Sequence, residues 1–142
     1  DEYGYEFGTA GQRLDALAEA LPRIEQRWTK LNPAPTRKIP VLIGGGGEKK
    51  TLRLVAKHAD IWHSFTKVDD LARKLDILAA HGEAVGRDVR EIEISNELRT
   101  LDEAGADKLL EAGVTLFTLG ISGPNYDIAN VKRWLRWRDA QR

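Results

Sequence analysis

The sequence predicts an α/β protein built from parallel strand–helix units, and three observations predict it. Short apolar runs alternate with longer segments whose apolar residues recur at helical spacing. Glycine-containing breaks at Gly44–Gly47, Gly86, Gly113 and Gly120–Pro124 separate them. A helix-length segment lies between consecutive strand candidates. Such strands cannot pair as hairpins and run parallel through right-handed crossovers.

In chain order, Gly11 to Thr29 places Leu14, Leu17, Ala18, Leu21, Ile24 and Trp28 on one helical face. Pro22 within it is expected to kink or split the helix. Asn32-Pro33-Ala34-Pro35 forbids helix and imposes an extended connection. Ile39 to Ile43 reads as a short buried strand that Gly44 ends. Glu48 to Ala59 follows as a helix with Leu52, Val55, Ala56 and Ala59 inward, and Ile61 to Phe65 is a second strand.

Val68 to Val85 is a strong helix striped by Leu71, Leu75, Leu78 and Ala79, with Asp69 and Asp70 in its first turn where the dipole favours acids. Gly86-Arg87-Asp88 breaks it. Glu91 to Ser95, alternating through Ile92 and Ile94, suits a third strand. Thr100 and Glu103 make a capping box for a helix through Ala112, with Gly113 just past its end. Val114 to Leu119 is the fourth strand. Asp127 to Ala140 is a last helix carrying Ile128, Val131, Trp134 and Leu135.

Residues 1–142 fit one domain, with 1–38 as leading helix and linker and 39–142 as four strand–helix units. Two architectures are compatible: an open doubly wound sheet, or an arc of a (β/α)8 barrel. A full barrel takes about 250 residues, so four units amount to half of one. The chain begins at Asp1 and contains no methionine, which predicts a processed, trimmed or engineered piece.

Composition narrows the function. Apolar residues make up 42%, enough for a core and against disorder. Twenty-two basic and twenty-two acidic residues leave no net charge, which argues against a broad nucleic-acid surface. Without cysteine there is neither a disulfide framework nor a zinc-thiolate site. His58, His63 and His81 lie outside metal-ligand spacings, and no metal is expected. No apolar run reaches membrane-spanning length and no signal-peptide pattern opens the chain, so a cytoplasmic location without membrane contact is expected.

Gly44-Gly45-Gly46-Gly47-Glu48-Lys49-Lys50-Thr51 carries the most information. Four glycines permit close backbone approach, and successive N–H groups ahead of a helix can form a nest for a phosphate-like anion. The bland alternative is a strand-to-helix turn with no ligand. Two fingerprints fail here: the P-loop and the dinucleotide motif both require glycine where Lys49 stands.

The segment Pro40 to Ala56, followed by His58-Ala59-Asp60-Ile61-Trp62-His63, resembles the luciferase-like monooxygenase superfamily. The resemblance is nearest to its branch of oxidoreductases dependent on the deazaflavin coenzyme F-420. Gly11 to Asp15 with Trp28-Thr29, Ala84 to Asp88, and Ala112-Gly113-Val114 leading to Gly120–Pro124 fit the same branch in the same order.

The resemblance implies that this chain is the C-terminal half of a (β/α)8 TIM barrel. It also implies that Gly44, Gly45, Gly46, Gly47 and Glu48, with Lys49 more weakly, hold the phosphate or ribityl end of the cofactor. The implied activity is hydride transfer between coenzyme F-420 and an organic small molecule. The alternatives are an FMN-dependent monooxygenase and an inactive half-barrel that only folds or binds anions.

The departures are specific. The N-terminal half of the family barrel has no counterpart here. A longer family insertion is reduced to Lys30, and the link from Glu97 to Asp102 is shortened. Ile61 and His63 stand where the family has Gly and Asn. Four strands leave two open edges, so a homodimer closing eight strands, or association with a missing N-terminal half, is expected.

Other candidates are weaker, and no catalytic acid or base is named. His63, near a strand's C-terminal end, has the place of a barrel active-site residue but reads more simply as a polar strand-end side chain. His58, Asp60 and Ser64 are triad residue types without a nucleophile elbow. Glu91 and Glu93 would share one strand face, as paired carboxylates or simply as a solvated side. Lys132, Arg133, Arg136 and Arg138 sit where a helix dipole favours cations. Of the four tryptophans, Trp62 is the one placed to touch a cofactor.

Overall fold

A computed structural model describes residues 3–98, 101–123, 126 and 128–141. The elements are α1 (Ala10–Trp28), β1 (Leu42–Gly44), α2 (Thr51–His58), β2 (Ile61–Ser64), α3 (Val68–Val85), β3 (Glu93–Glu97), α4 (Glu103–Glu111), β4 (Val114–Thr118) and α5 (Ala129–Ala140), with a 3-10 turn at Val89–Glu91 before β3. The four strands are all parallel and lie in the order β1-β2-β3-β4. A doubly wound sheet reverses its strand order at a switch point. This one advances in a single direction, as part of a TIM-barrel-like fold does. No described helix is long and apolar enough to cross a membrane.

Thr9 caps α1 through a reciprocal pair with Gln12 (2.7 and 3.2 Å). The helix is not split at Pro22, which lies inside its unbroken span. Proline removes one N–H, and the bonds on either side carry the helix across. α3 has the predicted bounds and stops at Gly86, whose φ of 69° is the left-handed conformation that glycine adopts freely. Asp102 caps α4 by accepting from the Gly105 N–H at 2.8 Å. Of the predicted capping box, Thr100 lies outside the described residues, as do Pro124 of the predicted turn and Asp127 of the last helix.

Several boundaries differ from the sequence reading, each for a local reason. β1 is a three-residue edge strand that includes Gly44. Only Ile43 of it is buried, and Leu42 is 50% exposed. An edge strand pairs on one side only, and Pro40 has no N–H to give a ladder. α2 starts at Thr51 rather than Glu48, because Glu48–Lys50 form a turn after the glycines. β3 starts at Glu93 because Asp88 accepts from the Arg90 N–H and winds Val89–Glu91 into the 3-10 turn. Glu91 and Glu93 therefore do not share a strand face. In α5 the buried pair is Trp134 and Trp137, whereas Ile128 and Leu135 are exposed.

The main core lies between the sheet and α1–α4 and is centred on Leu52, Val55, Trp62, Leu71, Leu78, Leu109 and Val114. A second cluster joins Leu98, Ala106, Trp134 and Trp137. There Trp137 meets Trp134 and Phe117 edge-on and donates to Asp107 at 2.8 Å.

Candidate functional site

β1 and β2 end side by side, with Gly44 opposite His63, and the chain leaves β1 into Gly45–Gly47 at the carboxyl edge of the sheet. Gly45 continues the pairing by donating to the His63 carbonyl at 3.1 Å. Its φ of 115° is open only to glycine without strain, and here it turns the chain off the strand.

From that point the loop carbonyls are tied back to the protein one after another. Trp62 Nε1 donates to the Gly45 carbonyl at 2.8 Å, and Lys74 Nζ donates to that of Gly46 at 2.7 Å. The Leu52 N–H donates to Gly47 at 2.9 Å, and His81 Nε2 donates to Glu48 at 2.7 Å. The N–H groups of Gly46, Gly47, Glu48 and Lys49 have no protein partner among the described residues. Four carbonyls are committed and four N–H groups are uncommitted.

Side-chain electrostatics gather at the same place. The Glu48 carboxylate is 2.7 Å from Lys74 Nζ and 2.9 Å from Arg73 Nη2, while Arg73 also grips Asp70 at 2.7 Å. The Lys74 hydrogen bond, then that of Arg73, holds the Glu48 carboxyl below its usual range. Asp70 and Glu48 together raise the Arg73 guanidinium. Gly46, Gly47, Lys49 and Lys74 line an open cavity of about 460 Å³ with Leu14 and Thr51. Lys49 is exposed at its rim, and Lys50 is drawn away to Asp15 at 2.6 Å.

Lys74 and His81 were not legible as site residues. They stand seven apart on α3, two helical turns on one face, and sequence spacing does not reveal which loop that face meets.

The remaining candidates disperse. Trp62 is fully buried and cannot touch a cofactor, because strand alternation turns it under the helices, where it holds Gly45 from behind. His63, on the opposite face, lies with Nδ1 2.9 Å from Ser95 Oγ and its ring edge-on to Phe65 at 4.6 Å. His58 pairs with Glu25 at 3.0 Å, Asp60 pairs with Lys38, and buried Ser64 accepts from the Thr66 N–H. No triad forms from these three. In α5, Arg138 pairs with Asp139, and Arg133 lies over the Trp134 ring at 4.6 Å.

Glycine is demanded at two loop positions for different reasons. Gly45 needs its positive φ, and a Cβ on Gly47 would stand 2.8 Å from Thr51 Oγ1. At Gly46 a Cβ meets nothing nearer than 3.6 Å, so that position has room for a ligand. Uncommitted N–H groups, a small-residue cradle and a lysine ammonium fit a phosphate-like anion. The family model described as luciferase-like monooxygenase matches residues 3–111, a span from before α1 to the end of α4 that contains the whole loop. No curated protein sequence matches the chain.

Proposed function

The chain belongs to the luciferase-like monooxygenase family, and from that premise we propose that its Gly44–Lys49 loop holds the phosphate end of a flavin-type cofactor. The family typically binds such cofactors. We assign this one to the deazaflavin coenzyme F-420, in an oxidoreductase that moves a hydride to or from an organic substrate. The polarity of the loop supports the reading. With carbonyls 45–48 bonded to protein, the N–H groups of Gly46, Gly47, Glu48 and Lys49 are left to meet an anion.

The bound cofactor would supply the hydride chemistry, and this chain's residues would bind and orient it. Gly46 and Gly47 would admit the phosphate close to the backbone. Lys74 would add a positive charge beside it, and Lys49 would approach from the rim. The Glu48 contribution would come from its N–H, since its carboxylate is occupied by Arg73 and Lys74.

A catalytic assembly needs more strands than four. Among the described residues β1 and β4 each have one neighbour, so each offers a free parallel edge. Two copies related by a two-fold axis would pair β4 of each with β1 of the other and close eight strands. We propose this dimer as the C-terminal half-barrel doubled; gel filtration with light scattering showing only monomer would exclude it.

Fluorescence titration with oxidised coenzyme F-420 and, separately, FMN tests the cofactor assignment. Saturable binding of F-420 that is lost in Gly46→Asp supports it, and binding of FMN alone reassigns the chain to flavin monooxygenation. Binding of neither leaves a half-barrel without cofactor function.

A further inference from the structure

The opposite end of the sheet carries a second cleft of about 450 Å³, at the amino ends of β1 and β2. This volume is within the range of small-molecule pockets. Its apolar wall is Trp28, Pro35 and Ile39, contributed by the end of α1 and the segment leading into β1. Val41 lies in this cleft and Gly44 at the other end of β1, roughly 10 Å apart at strand rise, so the two sites are separate.

Charge in the cleft is unbalanced, with four cations facing two carboxylates. Both carboxylates are already engaged. Glu25 pairs with His58, whose side chain is only 6% exposed, at 3.0 Å. Asp60 binds Lys38 and accepts from the Val41 N–H at 2.8 Å. Burial pushes the Asp60 carboxyl up, yet the Lys38 ammonium and that N–H outweigh it and keep it ionised below its usual range.

The other cations remain available. The side chains of Arg37 and Lys57 have no hydrogen bond or ion pair among the described residues. Arg87 is half-buried and is anchored by one donor to the Ala56 carbonyl at 3.3 Å, which leaves further guanidinium N–H groups free. An aromatic and aliphatic wall beside surplus positive charge is complementary to a planar body bearing one anionic group.

We propose that this cleft is a second binding site, for a small organic anion. The apolar body lies against Trp28, and the carboxylate, sulfonate or phosphate is held by Arg37, Lys57 and Arg87. The proposal is independent of the cofactor reading and survives its failure.

Calorimetric titration with naphthalene-2-sulfonate, paired with the neutral naphthalene-2-sulfonamide, tests it. The sulfonate binds one to one. The sulfonamide, Arg37→Ala with Lys57→Ala, and Trp28→Leu each weaken binding about tenfold or more. Arg37→Lys with Lys57→Arg retains binding, and Gly46→Asp leaves it unchanged. The exposed positions of Arg37 and Lys57 let the double variant fold, and circular dichroism confirms this. Equal binding of the two naphthalenes, indifference to the double substitution, loss in Gly46→Asp, or no saturable binding each overturns the proposal.

Discussion

Lys74 and His81 stand two turns apart on α3 and close on alternate carbonyls of the glycine loop, Gly46 and Glu48, each at 2.7 Å. A helix that fixes these two carbonyls also fixes the N–H groups of Gly47 and Lys49, because a carbonyl and the N–H that follows it share one planar peptide unit. The loop is thus oriented by a side chain on each of two distant turns, and glycine content alone does not set its direction.

Lys74 is the decisive member, since its side chain is only 12% exposed and bridges backbone and carboxylate. In Lys74→Met the Gly46 carbonyl is released and the local positive charge is gone. Inorganic pyrophosphate, titrated by NMR, should bind about tenfold more weakly than to wild type. Glu48→Gln should act oppositely, because it removes the negative charge competing for Lys74 and Arg73. Unchanged affinity in both variants would remove Lys74 from the site.

Backbone strain separates the glycines. Gly45→Ala forces a side chain to φ of 115° and should lower unfolding free energy by about 1–3 kcal/mol. Gly46→Ala meets only ordinary contacts and should stay within about 0.5 kcal/mol. Urea denaturation of the two variants checks the contrast, and equal losses would contradict it.

The fold was legible where a pattern was local. The α3 stripe and the Gly86 stop sit in adjacent turns, and their bounds match the sequence. The parallel order followed from helices between strands. What escaped depended on partners distant in sequence. Trp62 reads as a strand-end aromatic until its register beside Ile43 and Ile94 turns it inward under α2 and α3. Lys74 reads as one more helix-surface cation until α3 packs beside the loop. The α2 start was misplaced because Glu48–Lys50 suit a first helical turn locally, whereas His81 holds the Glu48 carbonyl in a turn.

Trp62 gives the loop its floor. Trp62→Phe retains an aromatic ring but leaves the Gly45 carbonyl without its donor and opens a void in a fully buried site. The expected cost is about 2–4 kcal/mol from the lost bond and the cavity together. A loss of unfolding free energy below a tenth of this, read by urea denaturation, would show that the loop does not depend on Trp62.

Acid should loosen the same loop, and the sign follows from Glu48. Its folded carboxyl is held below the ordinary value of 4.5 by Lys74 and then Arg73. A depressed folded value contributes stability above the unfolded one and loses it as pH falls through the folded one. Wild-type stability should therefore decline on acidification below about pH 5, with part of the decline due to Glu48. Asp60, lowered by Lys38 and the Val41 N–H against the effect of burial, and Asp88, held down to about 2 by the Arg90 side chain and N–H, decline in the same direction. The Glu48 share is isolated by difference: Glu48→Gln should be less stable than wild type at pH 7 and approach it as the pH falls toward 3. A gap between the two urea midpoints that is constant over that range would mean that Glu48 is not ion-paired in the folded protein.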